Sequence, residues 1–430
     1  MTSQQITKLS AAPIHVVDGV AAPASERYRI IVFSLVVWAI SNFDQSLFGY
    51  AVPDILKEFG AELTAVGYIL AVSFAIAAVL VSFAGMAADR YGRRVTLVTL
   101  LAVSAFFVGM QAFAHSLETL TVFRALAFGL SAGLAPVTAA YVAEAASARH
   151  RGMLIGALQC AYPLGWFLAS LLAAPLLATQ GWRALFMMGF AVIPLALLIG
   201  WKMPESRRFA APASARSAAA SPKSEGRGNV AELFGPQYRR TAITCAVVFF
   251  TYGCAYAGTA FFFPTFFTQA RGYTPSQAAY LVGLSTGIGA LGYLAAAFVG
   301  EYVTTRRNTL ALWLLLGSLS LVALLWIPRE PWQDKALFIL TTSFFFGANG
   351  VIATLLTELF PTRIRTTAYA VCGSAPLSIG FAVYPMIVPF VVGAYGWQVA
   401  LSFAIAPLLL IAAGAAMMLP NLRSGREVAE

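Results

Sequence analysis

Two ionisable side chains stand inside long apolar runs of this 430-residue chain: Asp44 in SNFDQSLFGY and Arg124 in TVFRALAFG. Asp44 lies about 15 residues into its run, roughly 22 Å from one face, and Arg124 about 5 residues into a run of opposite direction, roughly 8 Å from the other. In a hydrocarbon core ~30 Å thick these depths coincide. An isolated charge there is costly, so an Asp44–Arg124 pair is expected, and intramembrane ionisable groups mark functional positions. The chemistry on offer is proton exchange. While the pair is intact the cation compensates the carboxylate. Giving Arg124 the carboxylate of a solute leaves Asp44 poorly compensated, which ties proton uptake to solute arrival.

A second group of side chains could contact a solute. Gln45, Gln159, Tyr162, Trp166, Tyr252, Tyr256, Asn349, Ser374 and Tyr384 are polar or aromatic residues set in apolar runs. Each could equally serve as interhelical hydrogen bonding or interfacial belt. Tyr252 and Tyr256, four residues apart, share one helical face. The chain offers little other chemistry. His15, His115 and His150 are dispersed, the four cysteines lack CxxC spacing, and no GxxxxGK[ST] pattern occurs. No metal, cofactor or nucleophile–base constellation is expected, and hence no enzyme.

These residues need apolar elements to hold them, and composition supplies them. Apolar residues make up 59% of the chain and charged ones 11%, with a mean hydropathy of +0.76. A soluble protein of this size needs a far more charged surface. Twelve runs are long enough to cross a bilayer: 29–53, 63–87, 94–115, 119–142, 152–178, 184–203, 239–268, 276–302, 309–328, 335–357, 365–393 and 398–419. The first, fifth, seventh and eleventh carry internal Gly or Pro, so bends are expected there.

The net charge of +10 sits in short loops, so no nucleic-acid face is implied. Alternate loops collect 22 Lys and Arg on one side of the bilayer and 5 on the other. The positive-inside rule makes the richer side, which holds both termini, cytoplasmic. The organisation read from the sequence is a tail (1–28), a six-helix bundle (29–203), an Ala/Ser/Arg-rich linker (204–238), a second six-helix bundle (239–419) and a tail (420–430). Three landmarks repeat near half the chain length. Gly85 opens GMAADRYGRR and Gly300 opens GEYVTTRRN; Glu144 and Glu358 each precede two arginines (Arg149 and Arg151; Arg363 and Arg365); Gly181-Trp182 answers Gly396-Trp397. A duplicated six-span unit places a solute site between the halves near the midplane.

GMAADRYGRR resembles the signature loop of the major facilitator superfamily, and the duplication extends the likeness over essentially the whole chain. Arg124 with FGLSAG, YVAEAASARHRG, PESRRF and TELFPTRIR resemble its sugar-porter and aromatic-acid:proton-symporter branches. The resemblance implies an all-α fold of twelve transmembrane helices in two pseudo-symmetric bundles. It makes Asp44 and Arg124 the proton-coupling pair and Gln159 a solute ligand. It also implies a gate at Gly85, Asp89, Arg90 and Arg93, with ion pairs at Glu144, Arg149, Arg151, Glu358, Arg363 and Arg365 that form in one state and break in another. Gly85 is expected to let two helices approach closely, and Asp89 to pair with Arg93 or sit at a helix N-terminus. In the second copy Glu301 stands where the Asp-Arg-x-Gly core is missing, and its latch is in doubt.

The function expected is proton-coupled uptake of a small organic solute by alternating access, in a monomer of the cytoplasmic membrane. Span seven, TYGCAYAGTAFFFP, lacks the glutamine-rich pattern of sugar porters, which disfavours a hexose and favours an organic or aromatic acid. The alternatives are a proton-driven exporter of drugs or metabolites, disfavoured because span five has Pro163 without a Gly-Pro pair, and a membrane receptor that moves no solute.

Overall fold

The computed structural model describes residues 24–145, 154, 158–205 and 230–421, and every regular element among them is helical. Eleven helices are long and apolar enough to cross a membrane. The remaining span, the seventh, is broken into Arg239–Ala257 and Phe263–Arg271 by a turn that begins at Gly258. Gly258 lies against Tyr384 and Ile405, where a Cβ would crowd both side chains. Ala24–Phe59 is a single helix that carries Pro53 inside it, and 36 residues reach about 54 Å, well beyond the hydrocarbon thickness.

In the first half the other spans are Leu63–Tyr91, Arg93–Met110, Leu117–Ala132 continued by Leu134–Ala145, Ala161–Thr179 and Trp182–Lys202. Span eight is Pro275–Phe298, span nine Arg306–Trp326, and span ten Pro331–Phe344 followed by Asn349–Glu358. Span eleven joins Thr362–Ala368 to Ala375–Tyr395, and span twelve runs from Trp397 to Met417. Local chemistry fixes the starts. Ser116 accepts from the Thr119 N–H ahead of span four. Thr274 and Gln277 form a reciprocal capping box ahead of span eight, with Pro275 at the first helical position.

The halves repeat each other in packing. Span one lies along five, two along four and three along six; seven lies along eleven, eight along ten and nine along twelve. The Gly-Trp repeat has the same use twice. Gly181 (φ 76°) and Gly396 (φ 79°) turn the chain where a side chain would be strained. The Trp182 indole N–H then donates to Glu58 at 2.6 Å, and that of Trp397 to Gln269 at 3.1 Å. One asymmetry stands out: π turns at Val299–Val303, Tyr369–Ser374 and Leu401–Ile405 all belong to the second half among the described residues.

Two seams join the halves, span two on eleven and span five on eight. Both close tightly toward the end remote from the basic loops. Gly67 meets the Pro385 carbonyl, Gly283 meets Ser170, and the Ser276 hydroxyl donates to the Ala174 carbonyl at 2.6 Å. Among the described residues, no pair of elements packs extensively between the halves at the basic end.

Candidate functional site

Asp44 and Arg124 are both buried, 2% and 1% exposed, but they are not within 4 Å of each other as an ion pair. The guanidinium lies 4.6 Å from the Phe48 ring and 5.0 Å from the Phe128 ring, and donates to the Gln45 carbonyl at 3.4 Å. It is therefore level with Phe48, one turn or about 6 Å beyond Asp44 along span one. Two ring faces and a carbonyl surround the cation, and its Nε is buried without a hydrogen-bond partner. Both Asp44 oxygens are buried without a hydrogen-bond partner.

The polar lining candidates separate into three groups. Gln45 faces into the first half, where its amide donates to Ser41 (3.3 Å) and Ser131 (3.2 Å), whose hydroxyls are 2.9 Å apart. It ties span one to span four and is half-buried. Tyr384 is also held by a hydrogen bond within its own half, its hydroxyl donating to the Ala404 carbonyl in the π turn of span twelve. Gln159 and Ser374 are exposed, one on each half.

The remaining five come together. Tyr162 of span five and Tyr256 of span seven join their hydroxyls across the two halves. Trp166 packs 6.0 Å from the Tyr162 ring and 5.8 Å from Phe261. Tyr252 stacks beside Tyr256 at 6.0 Å, and Asn349 lies against the Tyr252 phenol. Sequence reading missed the rings that complete this chamber. Phe346 (4.9 Å) and Phe381 (5.6 Å) flank Tyr256, while Phe74 bridges Phe381 (5.2 Å), Phe261 (6.0 Å) and Phe128 (4.8 Å). Phe74 and Phe128 thus stand between the uncharged cluster and Arg124. A separate cleft of about 370 Å³ between spans two and four, lined by Thr64, Tyr68, Leu117, Glu118 and Thr121, holds none of the expected site residues.

The basic end also departs from expectation. Gly85 brings no helices together, since a Cβ there would meet open space. Arg90 is exposed and reaches over Tyr91. The carboxylate at the N-terminus of span three is Glu205, which accepts from the backbone N–H of Arg93 (3.0 Å) and Arg94 (3.2 Å). Glu358 pairs with Arg306, which also holds Glu301. The degenerate copy of the loop therefore fastens spans eight, nine and ten within one half. Arg365 donates to the Phe360 carbonyl at 3.4 Å. Arg149 and Arg151, and the side chains of Asp89, Glu144 and Arg363, lie outside the described residues, as does most of the linker.

A family model described as Major Facilitator Superfamily matches residues 34–375. The chain belongs to the major facilitator superfamily. This facilitator is a multi-pass membrane transporter. It is 27% identical over 347 residues to a probable 4-methylmuconolactone transporter of Cupriavidus pinatubonensis, covering 80% of this chain and 79% of that one. To the cis,cis-muconate transport protein of Acinetobacter baylyi it is also 27% identical, over 87% of this chain and 89% of the other. Its fold is shared with a bacterial homologue of the human lysosomal transporter Spinster, solved inward-facing and occupied, at a TM-score of 0.70 and 15% identity over 92% and 95% of the two chains.

Proposed function

We propose that this facilitator takes up a small unsaturated or aromatic organic acid together with protons, across the cytoplasmic membrane and with both termini inside. The observation that carries the reading is the aromatic chamber built from both halves: flat ring faces, neutral hydrogen-bond donors, and a buried cation and carboxylate close by. Ring faces suit a planar solute, and neutral donors orient it. The relatives named for muconate and a muconolactone handle conjugated acids of this kind. With the basic loops inside, the tight seams at Gly67 and Gly283 are the outer gate, and the state described is closed outward.

In this reading Asp44 carries the proton. A carboxylate anion buried without a donor costs several kcal/mol, and a proton on Asp44 removes that cost. Arg124, held by Phe48, Phe128 and the Gln45 carbonyl, supplies the counter-charge when Asp44 ionises. Tyr162 and Tyr256 join the halves directly, and a solute between them replaces that contact. Monomers suffice, because both halves of the chamber belong to one chain.

The test is transport in liposomes by purified wild type and Asp44→Asn, using cis,cis-muconate and 4-hydroxybenzoate, with a polyol as the neutral control. Asp44→Asn exchanges solute across the membrane but no longer accumulates it under an imposed pH gradient. Retained accumulation by Asp44→Asn removes Asp44 from the mechanism, and uptake of the polyol in place of the acids removes the substrate class.

A further inference from the structure

Tyr293 of span eight is buried, and its phenol oxygen has no hydrogen-bond partner. It stands within electrostatic range of the phenols of Tyr162, Tyr252 and Tyr256. The Asn349 amide lies against this phenol as it does against that of Tyr252. In the first half, beside Tyr162, the Trp166 indole N–H is also buried without a well-formed partner.

The backbone around Tyr293 is closely held. A Cβ on Gly350 would stand 3.1 Å from the carbonyl carbon of Tyr293 and 3.3 Å from its Cα. One on Gly292 would stand 2.6 Å from the Cα of Ser343, and one on Gly347 2.9 Å from Gly292. Three glycines thus let spans eight and ten touch backbone to backbone on both sides of the tyrosine, and the Trp313 N–H donates to the Gly292 carbonyl at 3.2 Å. The packing that fixes span eight here is made by main chain. The phenol hydroxyl takes no part in it.

A buried hydroxyl left unpaired costs free energy that its deletion recovers, so a structural account gives no reason for the oxygen. A ligand account does. Around Tyr293 the second half supplies neutral groups, whereas the buried cation Arg124 lies in the first half behind Phe74 and Phe128. An acid in the chamber therefore turns its carboxylate toward the first half and presents its other end to Tyr293.

We propose that Tyr293 is a specificity-determining residue whose phenol O–H donates to an oxygen acceptor on the solute, remote from its carboxylate. A lactone carbonyl, a second carboxylate or a ring oxygen would each serve. This inference rests on the central chamber being the solute site, and it separates acids that a ring-lined chamber alone would treat alike.

The test uses the purified full-length chain and two matched pairs: cis,cis-muconate against 2,4-hexadienoate, which lacks the second carboxylate, and 4-hydroxybenzoate against benzoate. Wild type binds the member with the distal oxygen about tenfold more tightly, the worth of one buried hydrogen bond. Tyr293→Phe brings that ratio to about one, leaves the plain acid's affinity unchanged, and unfolds at the wild-type temperature or above it. A Tyr293→Phe protein that keeps the ratio, weakens both members equally or fails to fold overturns the proposal, as does a wild type without the preference. Failure of wild type to bind any of the four acids refutes the central-chamber reading itself, a result distinct from an unchanged ratio.

Discussion

Gly67→Ala is the smallest change that should reset the balance between the states of the transporter. The added Cβ would run into the Pro385 carbonyl oxygen, with the carbonyl carbon at 3.1 Å and the Met386 Cα at 3.2 Å. Carbon atoms rest at about 3.5–4.0 Å, so span eleven must retreat by several tenths of an ångström. No side chain can swing away, because the obstacle is main chain. Overpacking of this kind costs about 1–3 kcal/mol, and it is paid only while the seam is shut. The gain in helix propensity from Gly to Ala, about 1 kcal/mol, falls on both states and cancels. The closed-outward population should fall by about five- to a hundredfold relative to the open one. Spin labels at Lys57→Cys and Arg329→Cys, exposed positions near the outer end of each half, in a background without the native cysteines, read this as a gain of long distances in electron–electron double resonance. Gly283→Ala provides an internal control. Its Cβ collides with the Ser170 side chain, so Ser170→Gly should restore part of the closed population there but none in Gly67→Ala. An unchanged distance distribution in folded Gly67→Ala protein would refute the reasoning.

Arg306→Ala removes one cation from both Glu358 and Glu301 at the basic end of the second half, and should lower thermal stability by several degrees, whereas Glu301→Gln, which leaves Arg306 its other partner, should do less; equal losses in a melting experiment would count against the shared-arginine reading. Glu205→Gln should cost about 1 kcal/mol by weakening the charged acceptor on the first N–H groups of span three, with faster amide exchange confined to residues 93–97. Exchange that rises throughout the first half would mean that Glu205 holds more than the helix end.

The spans were legible because lipid demands long apolar runs, and the Gly-Trp repeat was legible because the turn it makes needs a glycine each time. Asp44 and Arg124 were legible as residues of one neighbourhood, but the angle around the helix was not. Neighbours on a helix point about 100° apart, so Gln45 turned to Ser131 and the guanidinium found a carbonyl. Tyr384 and Tyr256 are alike in sequence, and only the π turn opposite one of them decides that it is a brace. Tyr293 was missed because the candidate contacts were drawn from spans one, five, seven, ten and eleven, and it lies on span eight. The signal that could have marked it was Gly292 beside it, together with Gly347 and Gly350 flanking Asn349. Glu205 was read as part of a motif, but its place at the start of span three depends on how the linker leaves span six.

The three π turns of the second half carry a mechanical consequence. A π turn widens the helix and leaves carbonyls out of register with the regular ladder; here Tyr384 takes up the one at Ala404, and the Ser318 hydroxyl donates to Ala406 at 3.0 Å. Such bonds can be exchanged for others without unwinding the helix. The π turns thus give the second half places where a helix can shift register, and none occurs among the described residues of the first half, so spans that answer one another across the repeat differ in how freely they can yield.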